Sequence, residues 1–400
     1  MGPGFLVAVG YMDPGNWATD IEAGSRFGYD LIFIVAFSSF AAILLQSLSM
    51  RLGVVTGKDL ARLTRERNSK TASIFLWLMA EVSIIACDLA EVLGGALAFH
   101  LLLGVPLLFG IVLTILDTFI VLGLQGRNFR TVEAIILGLV ITVGACFIVE
   151  LALIKPFWPD VFAGFVPSFS KLSQPYAVPL AVGIIGATVM PHNLYLHSSI
   201  IQTRIVSADN ISKRQAIRFS TLDTVTSLFF AMLINCAILM LAAGAFHSTG
   251  QVVADIGDAY NLLNPLLGSA LAAPLFGIAL LASGQSSTFT GTIAGQVIME
   301  GFIDLKIPCW QRRLITRSLA LIPALLGIWM LGDHSIGKLL VLSQIILCLQ
   351  LPFAIYPLIR QTADKKLMGE FATSRRIQTI AYLIFAMIVC GNLWLVWRFF

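Results

Sequence analysis

The chain has 400 residues, of which 58% are hydrophobic and 12% are charged, with a formal net charge of +4 and a mean hydropathy of +0.88. A soluble globular domain carries roughly 25% charged residues, about twice the fraction found here. The composition therefore excludes a soluble globular protein. The apolar runs have the length of membrane-spanning helices rather than of barrel strands. These features predict an all-α polytopic membrane protein.

The six cysteines form no CxxC pair. We therefore predict no disulfide framework and expect them to be mainly buried apolar residues. No basic segment precedes the first apolar run, so no cleavable signal peptide is predicted. Since that run begins almost at residue 2, we expect a short cytosolic tail to precede it in the full protein.

Eleven apolar segments have the length of a span. The predicted spans cover residues 2–26, 29–53, 71–103, 105–124, 131–153, 177–203, 219–245, 263–290 with a polar extension toward 302, 313–331, 337–358 and 377–398. A long proline-containing loop is predicted over 154–176. The first and sixth spans are each interrupted near the middle, at 13–16 and at 190–193.

Lysine and arginine mark one side of the membrane. All but five of the 26 fall in the loop regions 51–70, 127–130, 204–218, 306–317 and 360–376. Cytosolic loops carry an excess of these residues. We therefore predict a multi-pass protein of the plasma (inner) membrane with a cytoplasmic N-terminus and, for eleven spans, a C-terminus outside.

The two interruptions suggest an internal symmetry. Five spans separate the starts of the broken segments, so the two segments cross the membrane in opposite directions. This pattern predicts two five-helix repeats of inverted topology within one transmembrane domain, over about 2–153 and about 177–358. The segment at about 377–398 is then an eleventh, additional helix.

Both interruptions place a proline beside groups that can bind a cation. The first reads Asp13-Pro14-Gly15-Asn16 and the second reads Met190-Pro191-His192-Asn193. Proline removes a backbone donor, and the carbonyl groups freed before it need partners inside the bilayer. Asp13 adds a negative charge that is costly to bury alone, Asn16 adds an amide oxygen and Met190 adds a sulfur.

The mixture of donor atoms indicates which metals would bind. Oxygen ligands alone suit Ca²⁺ or Mg²⁺, whereas sulfur beside oxygen favours transition metals such as Mn²⁺, Fe²⁺ or Cd²⁺. Structural alternatives stay open for each residue. Met190 is then a packing residue, Asp13 a salt-bridged carboxylate, and Asn16 the N-cap of the helix after the break.

The third span contains three carboxylates near one helical face, and intramembrane acids are functional candidates. Imidazoles on the sixth span and two arginines at the start of the ninth can join them in a proton pathway. The proposed members are Asp13, Glu81, Asp88, Glu91, His192, His197, Arg312 and Arg313. The alternative is a static ion-pair network that holds the third and ninth helices together.

These motifs resemble the Nramp family (natural resistance-associated macrophage proteins), in particular its bacterial proton-coupled manganese transporters. The resemblance covers essentially the whole chain and implies the LeuT-type fold of two inverted five-helix repeats. It implies that the side chains of Asp13, Asn16 and Met190 bind metal. The further implied ligands are the backbone carbonyls of Gly10 and Ala187 and, in occluded states, Gln344.

The sequence therefore predicts a transporter, not an enzyme, that imports Mn²⁺, with Fe²⁺ and Cd²⁺ as further substrates, together with protons by alternating access. Its expected partners are divalent transition metal ions, protons and the lipid bilayer, with no cofactor and no nucleic acid. Two alternatives remain. One is a Na⁺-coupled organic-solute transporter of the same fold, and the other is a passive metal channel.

Overall fold

The computed structural model describes residues 2–125, 129–204, 209–332 and 335–399. Within these ranges the regular structure is helical. The helices are α1 (Pro3–Gly10), α2 (Pro14–Phe27), α3 (Ile32–Thr56), α4 (Leu60–Arg67), α5 (Lys70–Leu103), α6 (Leu107–Gln125), α7 (Phe129–Ile154), α8 (Trp158–Gly164), α9 (Phe169–Leu172), α10 (Ala177–Val189), α11 (Pro191–Ile200), α12 (Asn210–Ala245), α13 (Ile256–Leu267), α14 (Ala272–Ile303), α15 (Cys309–Leu331), α16 (Ile336–Ala363), α17 (Lys365–Met368) and α18 (Arg375–Phe399).

The predicted spans are all helical. The first corresponds to α1 with α2 and the sixth to α10 with α11, while α3, α5, α6, α7, α12, α14, α15, α16 and α18 provide the others. Eight helices of the described part, counting α10 and α11 as one, are long and apolar enough to cross a membrane.

Several boundaries differ from the prediction. The seventh predicted span, 219–245, lies within α12, but the helix begins earlier, at Asn210, with the Asp209 carboxylate accepting the Ser212 N–H at 2.8 Å. A polar capped segment extends the helix beyond its apolar part. The predicted start of the eighth span at 263 is wrong, since α13 ends at Leu267 with Gly268, at a φ of +60°, as its C-cap, before α14 begins at Ala272. The predicted loop 154–176 contains α8 and α9.

The two interruptions are shorter than predicted. Only Tyr11, Met12 and Asp13 separate α1 from α2, and only Met190 separates α10 from α11. The prolines do not lie in the gaps, because each is the first residue of the following helix. Proline is favoured there, since the first helical position needs no N–H donor and its φ is already helical.

The broken helices lie in the centre of the bundle. Helix α2 contacts α10, α1 contacts α11, and α5, α12, α14 and α16 pack around them. Trp17 of α2 is fully buried, with its ring 5.0 Å from that of Phe147 and 5.1 Å from that of Phe276. The non-helical backbone is thus enclosed by protein rather than lipid, as the hydrocarbon region requires.

Candidate metal site

The two interruptions leave carbonyl groups without helical donors, because the last carbonyls of a helix have none. An α-helical N–H bonds the carbonyl four residues earlier, and Pro14 and Pro191 have no N–H. The carbonyls concerned are those of Gly10, at the end of α1, and Ala187, near the end of α10. These are the two backbone positions that the family resemblance implied as ligands.

The next two carbonyls after Gly10 already have protein donors. The Asn235 side-chain amide donates to the Tyr11 carbonyl at 2.9 Å. The Met12 carbonyl accepts from the Trp17 indole at 3.2 Å and also from the Ser283 hydroxyl. Neighbouring helices therefore satisfy this part of the break, so a cation is not needed there.

Three side-chain oxygens around the first break have no donor. Asp13, Asn16 and Gln344 are each at most 1% exposed. Asp13 Oδ2, Asn16 Oδ1 and Gln344 Oε1 accept no hydrogen bond from any described residue. A buried acceptor without a partner costs about 1–3 kcal/mol. Three such oxygens form a set of hard ligand atoms of the kind that a divalent cation binds.

Asp13 also caps α2. Its Oδ1 accepts the backbone N–H of Asn16 at 2.9 Å. The alternative that Asn16 is the N-cap is therefore wrong, because Asn16 is the third residue of that helix. In the described part of the chain no Lys, Arg or His forms a salt bridge with Asp13, which disfavours the structural ion-pair alternative.

Gln344 connects the two broken helices. A Cβ on Gly15 of α2 would lie 1.9 Å from Gln344 Nε2. A Cβ on Gly186 of α10 would lie 2.1 Å from the Gln344 carbonyl oxygen. Only glycines permit this approach, so α16 packs against both interrupted segments at the level of the unpaired oxygens.

Met190 occupies the second break with an unusual backbone. It is fully buried, with φ 38° and ψ 104°. A non-glycine residue with positive φ is strained by about 1–2 kcal/mol. Its sulfur accepts a hydrogen bond from the Asn193 amide at 3.3 Å, and a Cβ on Gly10 would lie 2.5 Å from that same amide nitrogen. Asn193 therefore links Met190 to the end of α1.

The described residues contain no group of three or more His, Cys, Asp or Glu side chains that could hold a metal ion. The candidate ligands are instead one carboxylate, two amides, one sulfur and two carbonyls. A set with a single carboxylate differs from the closed Cys and His sites of structural zinc.

The acidic row of α5 is paired with arginines of α15. Arg313 donates to Asp88 and, at 3.0 Å, to Glu91 Oε2. Arg317 lies 3.4 Å from the same Glu91 oxygen and donates to the Thr114 carbonyl at 3.2 Å. These two acids and two arginines are each at most 1% exposed. Removing one member would leave an uncompensated buried charge.

Glu81 and Arg312 form a separate pair nearer the start of α5. Arg312 Nη2 lies 2.9 and 3.0 Å from the two Glu81 oxygens, and the Trp77 indole donates to the same carboxylate at 3.0 Å. A Cβ on Gly295 would lie 1.7 Å from Arg312 Nη1, and one on Gly291 would lie 2.8 Å from Glu91 Oε1. The glycine pair of α14 thus makes room for the charged row.

The Cys87 thiol lies between His192 and Glu91 of the charged group. Cys87 Sγ is 3.7 Å from His192 Nε2 and 3.8 Å from Glu91 Oε1. The sequence predicted Cys87 only as an apolar filler, whereas the structure places it between two predicted pathway residues. His197 lies on another branch, since its Nδ1 is 3.0 Å from Gln46 Oε1, and Gln46 donates to the Tyr11 hydroxyl at 2.7 Å.

Sequence analysis did not single out four further polar residues of the core. Arg317 and Cys87 are in the charged network, and Asp20 and Glu150 are buried carboxylates with at least one oxygen that lacks a partner in the described structure. The signal for Arg317 was its i, i+4 spacing from Arg313, which places both on one helical face. Asp20 and Glu150 could have been found because each is an acidic residue within an apolar span.

Comparison with known proteins identifies the relatives. The profile of the family described as natural resistance-associated macrophage protein-like (Nramp) matches residues 4–398. The divalent metal cation transporter MntH of Ralstonia nicotianae is 65% identical, with 99% of this chain and 90% of that protein covered. MntH 1 of Pseudomonas aeruginosa is 63% identical, with 100% and 91% covered.

Comparison with solved structures identifies the same family and its fold. The manganese transporter of Eremococcus coleocola, in complex with an aromatic bis-isothiourea compound, superposes with a TM-score of 0.91 at 38% identity, covering 98% of this chain and 85% of that one. MhsT and Mhp1 superpose at TM-scores of 0.62 and 0.64 with 17% and 14% identity, which shows a shared fold alone. The predicted LeuT-type fold is confirmed, and the chain is a multi-pass membrane protein. It belongs to the Nramp family, whose members are membrane transporters and not enzymes.

Proposed function

We propose that this protein imports divalent transition metal ions, with Mn²⁺ as the principal substrate and Fe²⁺ and Cd²⁺ as further ones, together with protons. Relatives named as divalent metal cation transporters and as a manganese transporter support this proposal. The structural observation that carries it is the set of three buried oxygens without donors on Asp13, Asn16 and Gln344. The metal is cargo rather than a cofactor.

The ligand set accounts for a transition-metal preference. Asp13 and Asn16 offer oxygens at the first break, and the Gly10 and Ala187 carbonyls lack helical donors because α1 and α10 end there. The Met190 sulfur adds a soft donor that Ca²⁺ and Mg²⁺ do not favour. Since the Asn193 amide bonds this sulfur, metal binding at Met190 requires that amide to move.

The proton route begins at Asp13 and continues through His192, Cys87 and Glu91 to the arginines of α15. The contacts of Cys87 with His192 and Glu91 support this order of residues. Asp88 joins Glu91 through Arg313, Glu81 pairs with Arg312 farther along the same helix, and His197 forms a second branch toward Tyr11. The ion pairs also hold α5 against α15, so the structural and proton-transfer roles coexist.

We further propose the plasma (inner) membrane as its location, with the N-terminus in the cytoplasm and the C-terminus outside. The clustering of lysine and arginine at one end of the helices supports this orientation. Repeats of about 2–153 and about 177–358 then rock against each other, with the segment at about 377–398 as an addition to them.

Reconstitution into proteoliposomes tests the function. We expect Mn²⁺ to enter, uptake to increase when the outside is made acidic, and protons to enter with the metal. Mn²⁺ uptake that does not change with an imposed pH gradient would instead identify a passive channel. Na⁺-dependent uptake of an organic solute, without Mn²⁺ binding, would identify the rival transporter of the same fold. Competition by Fe²⁺ and Cd²⁺ tests the wider metal range.

A further inference from the structure

A cleft of about 510 Å³ lies away from the metal site, between the start of α5, the C-terminal half of α16 and α18. The residues that line it include Arg67, Leu76, Tyr356, Arg360 and Gln361. It is located at the lysine- and arginine-rich end of the bundle, where α4 leads into α5 and α16 ends. In the proposed orientation this end faces the cytosolic leaflet.

One end of the cleft is polar and cationic. Arg67 and Arg360 are both exposed. Arg67 forms an ion pair with Asp364 at 2.7 Å, whereas no described acidic residue forms an ion pair with Arg360. The positive charge of Arg360 is therefore uncompensated, and an anionic group in the cleft would complement it.

Two acceptors lie beside these cations. Gln361 is 3% exposed, and its amide nitrogen donates to the Thr64 hydroxyl at 3.0 Å. Its Oε1 is buried without a donor in the described structure. Pro357 has no N–H, so the Phe353 carbonyl on the same wall also lacks its helical donor. The Gln361 oxygen lies behind the cleft wall, whereas a ligand that brings a hydroxyl donor would satisfy the Phe353 carbonyl.

The remaining wall is apolar and open to lipid. Leu76, Phe353 and Phe385 line it, and the rings of Tyr356 and Phe385 are 6.1 Å apart. Next to it on α5 the side chains of Phe75 and Leu78 are each 47% exposed, as is usual on a surface that faces hydrocarbon. A bound molecule therefore needs an apolar part as well as an anionic head.

We propose that this cleft binds an anionic glycerophospholipid of the phosphatidylglycerol type. Its phosphodiester would pair with Arg360 and Arg67, a glycerol hydroxyl would donate to the Phe353 carbonyl, and one acyl chain would lie along Leu76 and Phe385. Basic pockets between helices on the cytoplasmic side are typical sites for anionic lipid heads. The lipid would bridge α5, which carries the acidic row, and α16, which carries Gln344.

The test uses purified, delipidated full-length protein in a mild detergent, titrated with phosphatidylglycerol or with phosphatidylcholine of the same acyl chains. Bound lipid is counted by native mass spectrometry, and the melting temperature is followed in parallel. We expect one phosphatidylglycerol to bind more tightly than phosphatidylcholine. Arg360→Ala should weaken it about tenfold, the size expected for losing one charge-assisted hydrogen bond. Arg218→Ala, which removes an exposed arginine of α12 outside the cleft, should leave binding unchanged.

Leu76→Trp fills the apolar part without changing charge, and it should remove the same lipid. If Arg360→Ala lowers the melting temperature without lipid, Arg360→Gln replaces it in the comparison. Equal affinity for both lipids, or equal loss with Arg218→Ala, would overturn the proposal. Complete displacement by sn-glycerol 3-phosphate at equal concentration would overturn it as well, because the ligand would then be a free phosphate ester.

Discussion

The amide of Gln344 lies directly on the backbone of Gly15, where an added Cβ would be 1.9 Å from Nε2. Residues more than 300 positions apart in the chain thus meet at the first break. Gly15→Ala should displace the end of this flexible side chain without unfolding the protein. We expect the KM for Mn²⁺ uptake to rise about tenfold, a loss of about 1.4 kcal/mol of binding.

Gly138→Ala on α7 is the matched control, since no atom lies within 4 Å of a Cβ placed there. It should leave the KM for Mn²⁺ and the melting temperature unchanged. A Gly15→Ala variant with the wild-type KM would show that contact with Gln344 contributes nothing to metal binding.

Asp13 has two roles that can be separated by two substitutions. Asp13→Asn keeps an oxygen that can cap α2 but removes the charge, while Asp13→Ala removes both. We expect both variants to lose Mn²⁺ uptake in proteoliposomes. Only Asp13→Ala should lose about 1 kcal/mol of stability, the usual effect of removing an N-cap. Undiminished uptake by Asp13→Asn would contradict the metal-ligand role.

Met190 is predicted to discriminate against hard cations. Met190→Ala leaves mainly oxygen ligands, so Ca²⁺ should compete with Mn²⁺ better than it does in the wild type. The readout is inhibition of Mn²⁺ uptake by added Ca²⁺. Met240→Ala, at a buried methionine of α12, controls for the stability loss of about 2–5 kcal/mol that such truncations cause. If Met190→Ala still rejects Ca²⁺ completely, the sulfur is not the selectivity filter.

Glu91 distinguishes a proton route from a purely structural network. Glu91→Gln keeps the shape of the side chain and removes a titratable group, while Arg313 retains Asp88 as its partner. We expect metal-dependent proton influx, measured with an internal pH dye, to fall at least about tenfold, as for the loss of a positioned acid–base group. A lower melting temperature with unchanged proton influx would favour the static network.

Arg313 should be needed for stability. Arg313→Ala would leave Asp88 and Glu91 buried with much of their compensating charge removed, at a cost of about 3–5 kcal/mol. We expect a clear fall in melting temperature. Arg376→Ala, at an exposed arginine at the start of α18, should melt like the wild type. Equal melting of both variants would rule out a supporting role for the charged row.

Cys87 is expected to pass protons between His192 and Glu91. Cys87→Val keeps the volume similar but removes the thiol that contacts both residues. Proton influx should slow while Mn²⁺ binding is retained. Cys348→Val, at another buried cysteine of the described core, serves as the control and should leave proton influx unchanged. If both variants conduct protons like the wild type, the Cys87 thiol is not part of the route.

The sequence alone determined approximately where the spans lie and which two of them are interrupted. Hydropathy and proline chemistry are local properties, so both can be read within about 20 residues. The acids on α5 and the carboxylate at Asp13 were equally visible, because a charge in an apolar span is exceptional. The same local information did not show that α12 begins before its apolar run, where a polar capped segment continues the helix.

Only the tertiary structure decided how these elements meet. It put the Gln344 amide against Gly15, Cys87 between His192 and Glu91, and Arg317 beside Glu91. It also assigned the cap of α2 to Asp13 rather than Asn16. The cap is a local hydrogen bond, but the contacts between helices depend on their distance and rotation, which the packing of side chains on several neighbours determines. No periodicity within one helix encodes them.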